Sequence, residues 1–479
     1  MLRFALVGGL VLGVVSDASA RESLRRATPL SRQALQQRLR KQVARPMAKL
    51  GTFAVYIKRA GGPVLFARRG TTRLHPASCV KLITAAAVLR RLGKDFRFDT
   101  VVRGSISGGR MTSPLSLRGH GDPSLTRDDL ARFAAQIKAR GVREIPGGVV
   151  VDDTYFDGRR FPPGFKGPSS SSYMTPTGAV SVDGNTVEVT VTPVTVGARA
   201  RVALTQVSAY VHAKNGVMTA ADTRLSASAS RVGKTLQVFV RGTIRAGSEP
   251  VRQWVRVLDP SRYAGELFKR ALEAQGIRVG LVRRARAPKA PLLIRHRSKA
   301  LWELVQVMNR TSNNFYAEQL LKALGATVHG APGTTRKGVR AVRGIMHRAG
   351  VNRSSYQLAN GSGLFGSTRI AAKHLVRLLE RLRTLPWLYS AIRESLPVAG
   401  RSGTLAKRFV GTVAAGRVRA KTGTFKQVSC LAGYVDGRSG TAPIVFAIIH
   451  NGFNTSHRRI RRVQDKIVEL VARYALGRN

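Results

Sequence analysis

Apolar positions recur with a helical period over residues 31–50, then give way to two short runs at 53–57 and 64–67 divided by Gly61-Gly62-Pro63. A helix followed by a hairpin is expected, because the period drops toward 2 and a Gly-Pro pair punctuates the turn. Residues 82–89 are almost wholly apolar and Ala-rich, which favours a helix, and Pro76 just ahead places Ser78 at its start. From about residue 98 to 280, short alternating runs such as Val187-Glu188-Val189-Thr190-Val191 and 236–240 are broken by Gly and Pro, so that region reads as β-rich. A helix over 261–275 closes it, and the Arg- and Pro-containing stretch 283–291 reads as a return linker.

Helical runs resume at 301–308, 315–324 and 370–385, followed by strand-like runs at 418–424, 428–435 and 444–450. Ile460, Val463, Ile467, Val471 and Tyr474 then mark one face of a closing helix. Helix and hairpin at the front, with sheet and helix at the back, predict one discontinuous α+β domain over residues 21–97 and 290–479. A β-rich insertion over 98–289 interrupts it, with an inner domain at about 190–250 nested inside.

At 479 residues and 43% hydrophobic content, the chain can bury large cores. Arg3, an apolar run over 4–15 and Ala18-Ser19-Ala20 follow the order of a signal peptide over residues 1–20, so export to the periplasm or cell-wall space is expected. The run is short for a bilayer span, and no later segment is apolar for the roughly 18–20 residues that spanning requires.

Charge sets the chain apart. Lys and Arg outnumber Asp and Glu by 81 to 25, a formal +56, which makes the surface attractive to polyanions. The basic residues are spread through every segment, with local concentrations at 283–299 and 457–466. Zinc-finger spacing, an aromatic-rich recognition motif and a basic region followed by heptads are all missing, so specific nucleic-acid binding is not expected. Anionic wall polymers or a membrane surface fit diffuse charge better. Two cysteines, Cys79 and Cys430, are too few for a disulfide scaffold; a single bridge between them stays open, and a small buried residue is the commoner role of a lone Cys. The nine His residues show no zinc spacing, and no cofactor or metal is expected.

The candidate chemistry begins at Ser78-Cys79-Val80-Lys81, where a hydroxyl and an amine three residues apart share one helix face. Lys81 opens a nearly apolar helix, where an ammonium is costly to bury, and a free amine there could take the Ser78 proton. Ser312-Asn313-Asn314 falls between two helices, where it could face a cleft or simply cap a helix. Lys421-Thr422-Gly423-Thr424 lies on an expected strand, where Gly423 either admits a ligand to the backbone or marks a bulge. Ser-x-x-Lys, Ser-x-Asn and Lys-Thr-Gly in that order match the signature of penicillin-binding proteins and serine β-lactamases.

More than the triplet matches. Gly121-Asp122-Pro123-Ser124-Leu125, Asp153-Thr154-Tyr155-Phe156, Asn360-Gly361-Ser362-Gly363-Leu364, and Leu396-Pro397-Val398-Ala399-Gly400 with Gly403-Thr404-Leu405 also stand in the chain. With them the sequence resembles the D-alanyl-D-alanine carboxypeptidase/endopeptidase family, the class C low-molecular-mass penicillin-binding proteins. Ser312 follows Ser78 by 234 residues (312 − 78), and the resembled family is one that inserts domains there.

The resemblance implies a penicillin-binding-protein and serine β-lactamase-like transpeptidase fold, an antiparallel sheet with flanking helices, interrupted by the insertion. It implies Ser78 as the nucleophile acylated by peptidoglycan stem peptides and by β-lactams, with Lys81 as its base. The backbone amides of Ser78 and Thr424 would meet the oxyanion, and Ser312 and Lys421 would relay the proton to the leaving amine. Asn314 would position the substrate amide, Thr422, Gly423 and Thr424 would line the place of the terminal carboxylate, and Asp153 would bind the amine of the stem's diamino acid. Two departures stand out: Asn360 replaces the family's usual acid, and Phe365-Gly366 replaces its Ser-Arg pair. His120 interrupts what is normally a glycine run and reads as a loop residue. Two rivals are a serine β-lactamase, which needs a deacylating acid that no motif supplies, and a non-catalytic cationic wall-binding protein, which leaves Lys421-Thr422-Gly423 unexplained.

Overall fold

Two nearly continuous apolar runs near the C-terminus, 428–435 and 444–450, decide the first sheet, because strands apolar on both sides must be covered on both sides. The computed structural model describes residues 30–44, 51–165, 172–205 and 208–477; the expected signal peptide over 1–20 lies outside them. Two units organise these residues. The first holds residues up to Leu74, Ala371–Glu380 and Leu396 onward. Its antiparallel five-stranded sheet runs in the order Val64–Arg68, Thr52–Arg59, Ile444–Asn451, Val428–Val435, Val418–Phe425.

Helices Arg32–Gln42 and His457–Leu476 bury Leu35, Leu39, Ile467, Val468 and Val471 in the core of this unit. Each such side chain contributes about 1.5–3 kcal/mol of apolar transfer. On the closing helix Ile460, Ile467 and Val471 are buried as the pattern predicts, whereas Val463 and Tyr474 are half-buried. Gln464 is buried too, where its amide donates to Ser429 Oγ at 3.1 Å.

The second unit comprises His75–Ile370 and Arg381–Ser395. Its helix Val80–Leu92 is buried from Val80 through Leu89. Around it pack Leu301–Arg310, Asn314–His329, Thr335–Arg348 and Pro386–Ser395. Glycines let two of these backbones touch: a Cβ on Gly338 would stand 2.2 Å from the Leu321 carbonyl oxygen.

The rest of this unit is the β-rich region. A mixed sheet in the order Val282–Arg284, Val149–Asp152, Leu115–Gly119, Asp99–Arg103, Leu292–Arg297 packs with helices Arg127–Ala139 and Pro260–Glu273. Two three-stranded sheets extend it, Arg201–Leu204/Thr186–Thr192/Val251–Arg256 and Val211–Ala220/Thr235–Arg245/Arg224–Val232. In Thr186–Thr192 the odd residues Val187, Val189 and Val191 are buried, which is the alternation of a half-buried strand.

Three elements depart from the sequence pattern. Helix Arg127–Ala139 starts at a capping box, Thr126 with Asp129, inside the region read as β-rich. Thr335–Arg348 is rich in Arg and Gly, and its apolar stripe of Val342, Ile345 and Met346 is thin. The run at 370–385 is a two-residue strand, Ile370–Ala371, then helix Ala372–Leu382; Pro386 opens a separate helix, as its missing N–H allows.

Candidate active site

Ser78 lies in a short 3-10 turn, Ala77–Cys79, that runs directly into the helix Val80–Leu92. Ala77 is left-handed, with φ of 45°, a conformation that a residue with a Cβ adopts at a cost. Its amide donates to His75 Nδ1 at 3.1 Å, which helps hold the bend before the nucleophile. His75 is buried, and burial with the neighbouring Arg369 lowers its pKa from 6.5 to about 4.

Lys81, one turn on, is fully buried. Its Nζ lies 2.8 Å from Ser78 Oγ, 2.6 Å from Asn314 Oδ1 and 3.1 Å from the Ser362 carbonyl oxygen. The amide and carbonyl oxygens can only accept, so they take two N–H bonds. A neutral amine has two hydrogens and one lone pair, and the third direction is toward the Ser78 hydroxyl. The geometry therefore fits a base beside its nucleophile.

Asn313, not Ser312, caps the helix Asn314–His329, its side chain accepting from the Tyr316 amide at 3.1 Å. Ser312 is left-handed, with φ of 58°, in the turn after Leu301–Arg310. The capping need is met by the middle residue of the motif, which leaves Asn314 for other work. Its Oδ1 accepts from Lys81, and its Nδ2 donates to the Tyr173 carbonyl at 2.8 Å.

Sequence reading missed Glu318, four residues and one turn after Asn314. Its fully buried carboxylate accepts from the amides of Gly361, at 3.2 Å, and Ser362, at 2.8 Å. Burial raises its pKa, against those hydrogen bonds and the charge of Lys81. The available signal was the single acid in the largely apolar run 315–326, which also holds Gln319 and Lys322. Thr84 Oγ1 donates to the Gly361 carbonyl, so the 361–363 segment is tied to both helices.

The departures at 360 and 365–366 have local accounts. Asn360 Nδ2 donates to the Leu364 carbonyl and its Oδ1 accepts from the Gly363 amide, both at 2.8 Å; a carboxylate could make only the second bond. Phe365 sets its ring edge on Phe165 at 5.5 Å. Gly164 lies so close to Gly366 that a Cβ would approach its nitrogen to 2.5 Å.

Asp153, to which the resemblance assigns the diamino-acid amine, has a full set of partners within the protein. It is buried, and its carboxylate accepts from the amides of Ala179 and Val180 and from Ser261 Oγ, and pairs with Arg160. These bonds tie separate segments of the fold together. His120 Nδ1 sits 2.9 Å from the Asp99 carbonyl oxygen, and its ring meets Tyr155 edge-on. Cys79 and Cys430 both remain thiols and both are buried.

In the other unit, Lys421, Thr422, Gly423 and Thr424 lie on Val418–Phe425, the last strand of the antiparallel sheet. Pro397 and Val398 cover this edge as far as Ala420, through the Ala420 amide and a bridge at Arg419. From Lys421 on, no described strand continues the ladder, and such an edge can pair with an extended peptide. Lys421 is buried and its Nζ donates to the Thr422 carbonyl at 2.7 Å. Thr422 and Thr404 share a hydroxyl hydrogen bond of 2.8 Å, and Arg461 donates to Thr424 Oγ1 at 3.4 Å. Arg461 was also missed, hidden among the basic residues of the closing helix.

The family model for the D-Ala-D-Ala carboxypeptidase 3 (S13) family matches residues 35–474. The chain belongs to this family of peptidases. It is similar to the D-alanyl-D-alanine carboxypeptidase of Actinomadura sp. strain R39, with 37% identity over 443 residues, 88% of this chain and 81% of that protein. Among solved structures, penicillin binding protein 4 of Haemophilus influenzae matches with a TM-score of 0.78 and 25% identity, covering 89% of this chain and 98% of the other. The same protein complexed with a β-lactam matches at a TM-score of 0.74 and 25% identity, over 90% of this chain and 98% of the other. The S13 chain thus has the α+β penicillin-binding-protein fold that its motifs implied.

Proposed function

We propose that this S13 peptidase is an exported serine-type D-Ala-D-Ala carboxypeptidase, DD-endopeptidase or both, working through an acyl-enzyme on Ser78 and inhibited by β-lactams. The observation that carries the reading is the environment of Lys81: two obligate acceptors take its N–H bonds, and its remaining direction meets the Ser78 hydroxyl at 2.8 Å.

In the first step, Ser78 Oγ attacks the carbonyl that links two D-residues of a peptidoglycan stem peptide, and Lys81 takes its proton. The C–N bond breaks, the proton passes to the leaving amine, and an ester on Ser78 remains. Water then cleaves the ester and restores the hydroxyl. The backbone amides of Ser78 and Thr424 are assigned to the developing oxyanion, a kind of donor whose loss typically costs roughly 3–4 kcal/mol. From the family motifs, Ser312 and Lys421 are assigned the proton relay, Asn314 the substrate amide, and Thr422, Gly423 and Thr424 the terminal carboxylate. Arg461, beside Thr424, adds a cation to that carboxylate.

Intact mass after exposure to penicillin, with and without Ser78→Ala, tests the reading. A persistent adduct of one penicillin on Ser78, lost in the variant, together with release of D-Ala from a pentapeptide stem, is expected. Unmodified protein beside intact penicillin would sink the acyl-enzyme reading, and unmodified protein beside consumed penicillin would make the chain a β-lactamase.

A further inference from the structure

At the far ends of the two helices that carry Lys81 and Asn314 in their first turns lies a cavity of about 350 Å³. Its lining includes Arg90, Arg91, His329, Arg340, Arg343 and Arg348, and no acid. Among the described residues these five arginines form no ion pair. Helix-end electrostatics accounts for Arg90, Arg91 and Arg348, which sit in or just beyond last turns. It does not account for Arg340 and Arg343, which lie inside Thr335–Arg348 three residues apart, where like charges destabilise a helix.

Gly344 makes the same point by shape. A Cβ there would meet nothing within 4 Å, in contrast to Gly338 on the same helix. A helix-interior Gly costs about 1 kcal/mol against Ala, and at this position its effect is to keep the cavity open. His329 Nε2 is buried with no hydrogen-bond partner among the described residues.

We infer that this cavity binds a phosphodiester segment of an anionic polymer. Guanidinium groups on two helices around one concavity, with the His329 imidazole on a third, suit phosphate oxygens, which Arg can grip with two N–H bonds. A bilayer surface suits it less, because the lining includes none of the large exposed apolar side chains that would enter an acyl layer. At 1.5 Å per residue, the helix from Asn314 to His329 sets the cavity roughly 20 Å from Asn314, so a bound polymer would leave Ser78 unobstructed. The inference does not depend on the acyl-enzyme reading.

Anisotropy of labelled poly(glycerol phosphate) with the full mature chain, between roughly 50 and 200 mM salt, tests it. Replacing Arg90, Arg340 and Arg343 together by Gln should weaken binding at least about tenfold and lower the salt slope by about three. Gly344→Gln, which fills the space without changing charge, should weaken it severalfold. Gln at Arg201, Arg231 and Arg245 together, exposed arginines of the inserted sheets, should change it less than about twofold. Thermal melts verify that each variant is folded. Equal losses from the two triple variants, or no loss from Gly344→Gln, would show diffuse attraction and overturn the site. Binding confined to phosphatidylglycerol vesicles, with none to the polymer, would overturn the polymer assignment.

Discussion

Glu318 accepts the backbone N–H of Ser362 at 2.8 Å, while the carbonyl of the same Ser362 accepts from Lys81 Nζ at 3.1 Å. One peptide segment thus links a buried acid to the amine beside Ser78, and Glu318 is a positioning residue. In Glu318→Gln one of the two oxygens that receive the Gly361 and Ser362 amides becomes a donor, so one N–H loses its partner at about 1–3 kcal/mol. The expected result is penicillin acylation of Ser78 slowed about tenfold, with KM for a stem peptide nearly unchanged. Normal acylation in a protein that merely melts earlier would reduce Glu318 to a support of the fold.

The pairing of Asp153 predicts a stability effect without a substrate signature. Asp153→Ala leaves the half-buried Arg160 without its carboxylate and removes the acceptor of two buried amides, at a cost of about 3 kcal/mol. KM should then shift equally for two stem peptides that differ only in a free side-chain amine. Arg160→Gln, which breaks the same pair from the other side, should behave alike. Were KM to rise for the amine-bearing peptide alone, Asp153 would be a substrate ligand after all.

His75 makes stability depend on pH with a definite sign. Unfolded, it takes a proton near 6.5; folded, only near 4. Between those values the unfolded state binds more protons, so stability falls as pH drops from 6.5 toward 4, by about 1–3 kcal/mol from this group. His75→Asn retains an acceptor for the Ala77 amide, and its melting temperature should fall less over the same window. Parallel calorimetric curves for the two proteins would contradict the assignment.

Gly363 has φ of 72°, and an added Cβ would stand 2.0 Å from the Ala77 carbonyl oxygen, next to the nucleophile. Gly363→Ala should therefore cost at least about 1–2 kcal/mol in strain and slow acylation of Ser78. Gly344→Ala, in open space on a helix, should instead raise stability by about 1 kcal/mol. Equal melting temperatures for both variants would refute the contrast.

The helices that place Ser78 and Asn314, and the strands that form the antiparallel sheet, were legible because each has a strong period or a continuous apolar run. Arg127–Ala139 and Thr335–Arg348 were not, the one overshadowed by the strand pattern around it and the other carrying too thin an apolar stripe. Ser78, Lys81 and Asn314 were legible through motif spacing, and their convergence on Lys81 Nζ agrees with it.

The sequence by itself determined residue chemistry and local period: the hydroxyl and amine one turn apart, the buried strands, the family motifs and the excess of positive charge. Tertiary structure alone decided which groups meet. Glu318 reaches Ser362 across 44 residues, and Asp153 reaches Ser261 across 108, so no local pattern records either contact. The same holds for the basic cavity, whose arginines stand on two helices far apart in the chain, Val80–Leu92 and Thr335–Arg348, and face one concavity because those helices pack against each other.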